Sequence, residues 1–184
     1  MAPLPALAHE GSSLPYGSFI AGLAHPVLGV DHFLAMVSVG ILSAQIGGRA
    51  IWTVPATFVS VMAVGGLLGW LAVGLTSIEL GIAFSVLILG LAIAADRKIP
   101  VLLAMVAVGI FAIFHGYAHG AEMPTVASPV RYALGFMTGT ALLHISGVLV
   151  GDISQHYERG KVLLRVAGAA IAGAGTWFLM GLVG

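Results

Sequence analysis

The chain of 184 residues is 59% hydrophobic and only 8% charged, and its mean hydropathy is +1.08. Soluble domains carry roughly 25% charged residues, so this composition excludes an ordinary soluble protein and predicts an integral membrane protein. The formal net charge of zero argues against a nucleic acid partner. The lack of cysteine excludes disulfides, thiolate metal sites and thiol redox chemistry.

The first twelve residues form a tail that we expect to lie outside the cell membrane. They are rich in proline and alanine, and Ala6-Leu7-Ala8 before His9 is the small-residue pattern that precedes a signal-peptidase cut. No basic or long apolar segment comes before it. Residues 1–12 are therefore interpreted either as the remnant of a signal peptide or as a disordered terminus.

Six apolar segments follow, each close to the ~20 residues that span a bilayer. They are predicted at about residues 16–45, 51–74, 77–95, 99–121, 130–151 and 163–182. The first is too long for one straight span, and Pro26 predicts a kink or break there because proline removes a helical hydrogen bond. The predicted fold is all-α: a polytopic protein with six transmembrane helices in one transport domain, residues 13–184.

The two halves of the chain predict an inverted repeat of three plus three helices. Each half opens with a helix that carries two histidines and an acidic residue. An odd number of helices per half gives the halves opposite topology, as in many secondary transporters.

Basic residues predict the orientation in the cytoplasmic membrane. Six of them fall in connections on one side, and only Arg131 lies on the other. The six are Arg49, Arg97, Lys98, Arg159, Lys161 and Arg165. Because positive residues accumulate on the cytoplasmic side, both termini are predicted to face outward.

Glycine pairs spaced by four residues predict close helix packing. Small residues at this spacing let two transmembrane helices approach at backbone distance. The pairs are Gly65–Gly69, Gly116–Gly120, Gly135–Gly139 and Gly147–Gly151.

The first span contains His25, Asp31 and His32 where a helix facing lipid carries aliphatic residues. An ionisable group at this depth costs at least ~2.5–3.5 kcal/mol and marks a functional site by default. On a straight helix the two histidines lie ~10 Å apart along the axis, too far for one ion. Either Pro26 brings them together or they belong to successive sites. Asp31 is predicted to bind the ion or to accept the hydrogen bond of a ligand histidine.

The fourth span ends with His115, His119 and Glu122 on one helical face, at i, i+4 and i+7. An i, i+4 histidine pair can chelate one metal ion, although Gly116 stands where HExxH peptidases carry their general base. His144 lies midway along the fifth span and is interpreted as a further ligand or a relay, with a structural hydrogen bond as the alternative.

Counting ~1.5 Å per residue orders these seven side chains by depth. From the outer surface to the midplane the order is Glu122 with His119, then His25 with His115, then Asp31, His32 and His144. Such a track suits a metal ion that is captured, partly dehydrated and passed on. Thr76 and Glu79, by contrast, predict a capping box at the start of the third span.

Two long motifs resemble those of the HupE/UreJ family of nickel/cobalt permeases. The first, His-Pro-x-x-Gly-x-Asp-His, is matched by His25, Pro26, Gly29, Asp31 and His32. The second, Phe-His-Gly-x-Ala-His-Gly-x-Glu, is matched by Phe114, His115, Gly116, Ala118, His119, Gly120 and Glu122. The resemblance implies uptake of Ni²⁺ or Co²⁺ across the cytoplasmic membrane and a cleaved signal peptide.

The leading hypothesis is therefore a secondary permease for a divalent transition ion, not an enzyme and without a prosthetic group. Nitrogen-rich ligation suits Ni²⁺, Co²⁺ or Zn²⁺ and disfavours Mg²⁺ and Ca²⁺, which prefer oxygen. A membrane-embedded metal-dependent hydrolase that uses the same histidines and Asp31 is the alternative. A bis-histidine haem protein is a third hypothesis and requires histidines at equal depth on two helices.

Overall fold

The computed structural model describes residue 14 and residues 16–183, so the predicted signal-peptide remnant lies outside the described residues. Seven α-helices account for nearly all of the described chain, and this part contains no strand. They are α1 (Gly17–Leu28), α2 (Val30–Ile46), α3 (Ala50–Trp70), α4 (Ile78–Ala95), α5 (Val101–Ala121), α6 (Pro129–Gln155) and α7 (Glu158–Val183).

The helices confirm the predicted all-α membrane fold. The five helices α3 to α7 are long and apolar enough to cross a bilayer. The pair α1–α2 passes the same test together and is bent by 82°, so the described chain has five candidate spans, or six if the bent pair counts as one. The predicted inverted repeat stays a prediction.

The first span breaks at Gly29, three residues after Pro26. Pro26 lies buried inside α1, where it has no N–H to donate to the carbonyl of Gly22. Gly29 then takes an extended conformation (φ −82°, ψ 114°) between the two helices. A Cβ at this position would lie only 3.1 Å from the Asp31 carboxylate and 3.3 Å from the His32 ring. Glycine is therefore the residue that lets the chain turn here without displacing either side chain.

Glycines bring the helices together in three tightly packed groups: α3 with α5, α4 with α7, and α6 with both α1 and α2. A Cβ on Gly116 would collide with the carbonyl of Met62, and one on Gly147 with that of Val37. Seven of the eight glycines in the four predicted pairs lie at such backbone contacts, and Gly151 lies against the Cβ of Ala44, which confirms the close packing.

The predicted capping box at the start of α4 is wrong. Ser77, not Thr76, precedes the helix, and it adopts a left-handed conformation (φ 61°, ψ 38°). In the described chain its side chain makes no capping hydrogen bond. The left-handed turn redirects the backbone, so Thr76 and Glu79 are not positioned to cap each other.

Candidate metal pathway

Four histidines form a row between the bent first span and the end of α5. Ring centroids are 4.8 Å apart for His25 and His119, 4.9 Å for His119 and His32, and 4.8 Å for His32 and His115. The row alternates between the two segments, so each ring from the first span lies beside a ring from α5. The two sequence motifs therefore meet in space.

The 82° bend resolves the separation of His25 and His32. Their ring centroids are 6.2 Å apart, against the ~10 Å of axial rise that seven residues cover on a straight helix. His119 lies within 4.9 Å of both rings. The break thus lets the two histidines lie on either side of His119 in the row.

Asp31 orients the imidazole of His32. Its carboxylate accepts a hydrogen bond from Nδ1 of His32 at 2.9 Å and another from the backbone N–H of His32 at 2.7 Å. Since an ionised carboxylate only accepts, Nδ1 carries the proton and Nε2 presents its lone pair. Among the described residues this buried Nε2 has no hydrogen-bond partner. A carboxylate behind the far nitrogen is the arrangement that orients histidine ligands of metals.

Ser85 of α4 has the same effect on His115. The Ser85 hydroxyl donates to the carbonyl of Ile82 at 2.6 Å, so its oxygen is free to accept from Nε2 of His115 at 2.8 Å. The proton is therefore on Nε2, and Nδ1 of His115 presents its lone pair. His115 is fully buried, and Nδ1 lacks a partner within residues 16–183.

His25 lies at the more exposed end of the row. Its Nε2 is 3.2 Å from the Glu122 carboxylate, and its Nδ1 is 2.9 Å from the hydroxyl of Tyr132. In the neutral ring, Nε2–H donates to Glu122 and Nδ1 accepts from Tyr132. The hydrogen bond from His25 holds the pKa of Glu122, which lies just beyond α5, below its usual range. With its side chain 52% exposed, Glu122 places a carboxylate at the more exposed end of the row.

His119 is the central ring of the row and is fully buried. It stacks on Phe136 of α6 with the centroids 4.9 Å apart and the planes 12° apart. Neither of its nitrogens has a partner in the part of the chain that the structure describes. The ring plane is therefore fixed by packing, while no hydrogen bond within the described residues fixes which nitrogen carries the proton and which presents its lone pair.

His144 lies apart from the row, behind Phe58. The ring of Phe58 is 5.6 Å from that of His115 and 5.1 Å from that of His144. Nδ1 of His144 donates to the carbonyl of Met36 at 2.8 Å, so Nε2 presents its lone pair. This nitrogen too is buried and unpartnered across the described chain. The structural hydrogen bond considered as an alternative does exist, and it still leaves one nitrogen available.

The chain matches the HupE / UreJ protein family over residues 1–178. It is 44% identical to Protein HupE of Rhizobium leguminosarum bv. viciae over 178 residues, which cover 97% of this chain and 93% of the relative. The chain belongs to the HupE/UreJ family. No solved structure matches it. With its apolar helices, it is a membrane protein of this family.

The row of this HupE/UreJ member does not form a closed metal centre. Among the described residues, no three His, Asp or Glu side chains are arranged to hold one ion together. Two imidazoles on one ion, at metal–nitrogen distances of about 2.0–2.1 Å, place their ring centroids about 5 Å apart. Neighbouring rings of the row already have this separation. In ring spacing alone, neighbouring histidines of the row match a pair of imidazoles on one ion.

Four side chains of this family member contact the histidines but were not found from the sequence. They are Phe58, Ser85, Tyr132 and Phe136. Each comes from a helix other than that of the histidine it contacts, so only the tertiary packing shows the pairing. Ser85 had one signal, a hydroxyl within an aliphatic helix, where such groups are expected to have a partner.

Proposed function

We propose that this HupE/UreJ member is a secondary permease that imports Ni²⁺ or Co²⁺ across the cytoplasmic membrane. The ion enters beside Glu122, passes along the row from His25 to His115, continues to His144 and is released inward. The ion is the transported substrate. Membrane lipid surrounds the helices, and no prosthetic group takes part.

The observation that carries this proposal is the set of buried imidazole nitrogens with free lone pairs. Buried polar atoms in proteins almost always have partners, so several such atoms in one region need an explanation. Hydrogen bonds from His32 to Asp31, from His115 to Ser85 and from His144 to a backbone carbonyl fix which nitrogen is free in each ring. A neutral imidazole with a fixed tautomer is a metal ligand that needs no rearrangement to bind.

The donor set selects the class of ion. Imidazole nitrogen suits Ni²⁺, Co²⁺ and Zn²⁺, whereas Mg²⁺ and Ca²⁺ prefer shells of oxygen. Asp31 and Glu122 supply two negative charges near the row, which offset the double charge of the ion. Spacing that offers two nitrogens at a time binds the ion more weakly than a closed centre, which favours transfer along the row over trapping.

The predicted orientation in the membrane supports uptake from the outer side. The positive-inside distribution puts the connections after α2, α4 and α6 in the cytoplasm and both termini outside. His119 and Glu122 lie at the end of α5, which this orientation places on the outer side. The row of histidines then opens outward, where the ion is captured.

Uptake of nickel and cobalt by cells that produce the protein tests this function. We expect His32→Ala and His115→Ala each to reduce accumulation to the level of cells without the protein, since each removes a ligand from the middle or end of the row. His156→Ala is the matched control because His156 is exposed and bonds only its own helix, through the Asp152 carbonyl.

Immunoblots of the membrane fraction establish that all variants are present at equal amounts. If both His32→Ala and His115→Ala accumulate nickel and cobalt as the wild type does, the permease proposal is wrong. Metal binding without uptake, together with hydrolysis of a supplied substrate, would instead support the alternative of a membrane-embedded hydrolase.

A further inference from the structure

A second polar cluster joins three helices at the end of the bundle opposite the histidine row. The Asp96 carboxylate, at the end of α4, accepts hydrogen bonds from the amide of Gln45 of α2 at 3.0 Å and from that of Gln155 of α6 at 3.3 Å. Gln45 also donates to the carbonyl of Ile93 at 3.2 Å. All three polar side chains are partly buried. Gln45 lies thirteen residues beyond His32, ~20 Å further along the same helix.

The cluster lies on the same helix faces as the groups of the histidine region. On α2, Asp31, Ser38 and Gln45 are spaced by seven residues, which is close to two helical turns. On α6, His144 and Gln155 are eleven residues apart, close to three turns, and Asp96 directly follows the last turn of α4, the helix that carries Ser85. Polar residues of α2 and α6, and the residue that follows α4, therefore connect the region of the proposed ion sites with the cluster around Asp96.

The contact between α2 and α4 differs from the glycine-packed contacts. The backbones of α2 and α6 touch at Gly40 and Gly147, and those of α4 and α7 touch at Gly90 and Gly168. Within the described ranges, no glycine brings α2 against α4 in this way. At this end, α4 is held to α2 and α6 by the side chains around Asp96. The contact between α2 and α4, the seam, therefore joins the helix pairs α2–α6 and α4–α7, and side-chain hydrogen bonds hold it at this end.

The seam is closed between the two polar regions. Ser38 of α2 is completely buried, and its hydroxyl lacks a partner among the described residues. Buried aliphatic side chains of both helices, among them Leu42, Leu89 and Ile93, fill the space toward Asp96. If the proposed path from the histidines runs along this contact, α2 and α4 must separate to let an ion through.

We infer that the hydrogen bonds of Gln45 and Gln155 to Asp96 form the inner gate of the pathway. They hold α4 against the α2–α6 pair while the histidine region is accessible from outside, and their release lets the seam open toward the cytoplasm. This inference rests on the proposed transport function for its purpose. The gate itself is a property of the helices that can be measured without metal.

The chain contains no cysteine, so a single engineered thiol reports on the seam. Ser38→Cys places it halfway along the seam, and a membrane-impermeant maleimide added to inside-out vesicles reaches it only when the gate is open. We expect slow labelling with the native gate. Replacing both amides (Gln45→Leu with Gln155→Leu) should raise the rate by about tenfold or more, because two hydrogen bonds to a carboxylate are lost.

Asp96→Asn is the matched control, since its side-chain carbonyl still accepts both amide N–H groups. The rate at which the Ser38→Cys thiol is labelled in this variant should stay within about threefold of the rate in the protein that carries Ser38→Cys alone. A thiol at the exposed position 156 (His156→Cys) should be labelled at the same rate with the native residues, with both leucine replacements and with Asp96→Asn. This control shows that the cytoplasmic side of the protein faces the reagent in every vesicle preparation. Gel filtration of each variant excludes a misfolded protein.

Three results would overturn the gate: unchanged labelling when both amides are replaced, equally fast labelling of Asp96→Asn, or faster labelling from the outer side only. Labelling needs no metal, so failure of the gate and failure of the transport proposal are distinguishable. A protein that imports neither ion but opens at the seam contradicts only the transport proposal. A protein that imports nickel, but whose thiol is labelled at the same rate before and after both amides are replaced, contradicts only the gate.

Discussion

The Asp31 carboxylate serves both the backbone and the proposed ion site. By accepting the N–H of His32 it satisfies one of the donors that the first turn of a helix leaves unpaired. By accepting Nδ1–H from the same residue it fixes the tautomer of the ring. The start of α2 and the orientation of a ligand therefore depend on a single side chain.

Replacing Asp31 by Asn should weaken metal binding without abolishing it. The amide oxygen can still accept one hydrogen bond, but the negative charge that makes His32 a stronger donor is gone. Loss of such a supporting group costs metal sites about 10–100-fold in affinity. Isothermal titration of the purified protein with Ni²⁺ measures the change.

Asp152→Asn is the control for that titration, since Asp152 is exposed near the end of α6. It removes the same charge away from the row and should bind Ni²⁺ as the wild type does. Equal affinities for all three proteins would contradict the role of Asp31.

Glu122 should stabilise the fold in a pH-dependent manner. Its pKa is lowered chiefly by the hydrogen bond from His25, so its contribution is complete above the ordinary value of 4.5 and disappears as the pH falls through the lowered pKa. The melting temperature of wild type minus that of Glu122→Gln, measured in detergent, should be positive at neutral pH. It should shrink toward zero in acid below pH 4.5.

Glu158→Gln supplies a comparison for the melting curves. Glu158 pairs with Lys161 at 2.7 Å on the surface of α7, where ion pairs contribute little. The melting temperature of Glu158→Gln should differ little from that of the wild type at every pH. A difference for Glu122→Gln that does not change with pH would show that the carboxylate is not held by His25.

At the scale of helices, the glycines of α5 place its histidines. Gly116 lies next to His115 in the chain, and it lets α5 approach α3 until its Cα faces the carbonyl of Met62. A larger residue would push the helix outward and move His115 away from Ser85. The glycine of the second motif therefore acts through the distance between two helices.

Gly116→Ala should destabilise the protein by about 1–3 kcal/mol, the usual effect of an overpacked interior, and should reduce nickel uptake. Gly173→Ala is its control, because that glycine is exposed on α7 and has open space around it among the described residues. Thermal unfolding in detergent compares the two. Similar losses for both would mean that helix contact at position 116 is unimportant.

Local sequence patterns determine where the helices lie in the chain but not which helices pack against each other. Runs of about twenty apolar residues predicted the spans, and four glycine pairs predicted the helix contacts, since both signals depend only on neighbours in the chain. Pro26 predicted a break that occurs at Gly29, because the turn also has to accommodate Asp31 and His32. The capping box failed for a similar reason: the conformation of Ser77 depends on the whole connection between α3 and α4.

The candidate site was predicted only in part, for a physical reason. Charge and spacing indicated all five histidines, because an ionisable group in an apolar segment is conspicuous by itself. The order of the rings depends on the 82° bend and on how α5 packs against it. The position of Phe58 between His115 and His144 likewise depends on contacts between three helices.

For the whole molecule, uptake should fall as the external pH drops through ~6. Histidine has an ordinary pKa of about 6.5, and a protonated ring has lost the lone pair that binds the ion. Protons therefore compete with metal at every ring that the outer solution reaches. Initial rates of nickel uptake between pH 7.5 and pH 5, at constant free Ni²⁺, test the prediction. Rates that are equal at neutral and acidic pH would count against histidine ligation.

The bend of the first span also constrains how the protein is made. The segment α1–α2 leaves the ribosome before α5 and α6, yet His25 finds its partners only on those later helices, in His119 and Tyr132. Until they arrive, its ionisable groups must stay near the membrane surface, since they are costly in lipid. We therefore expect insertion of the first span to be completed late in biogenesis, in the same step that brings the histidines of the row together.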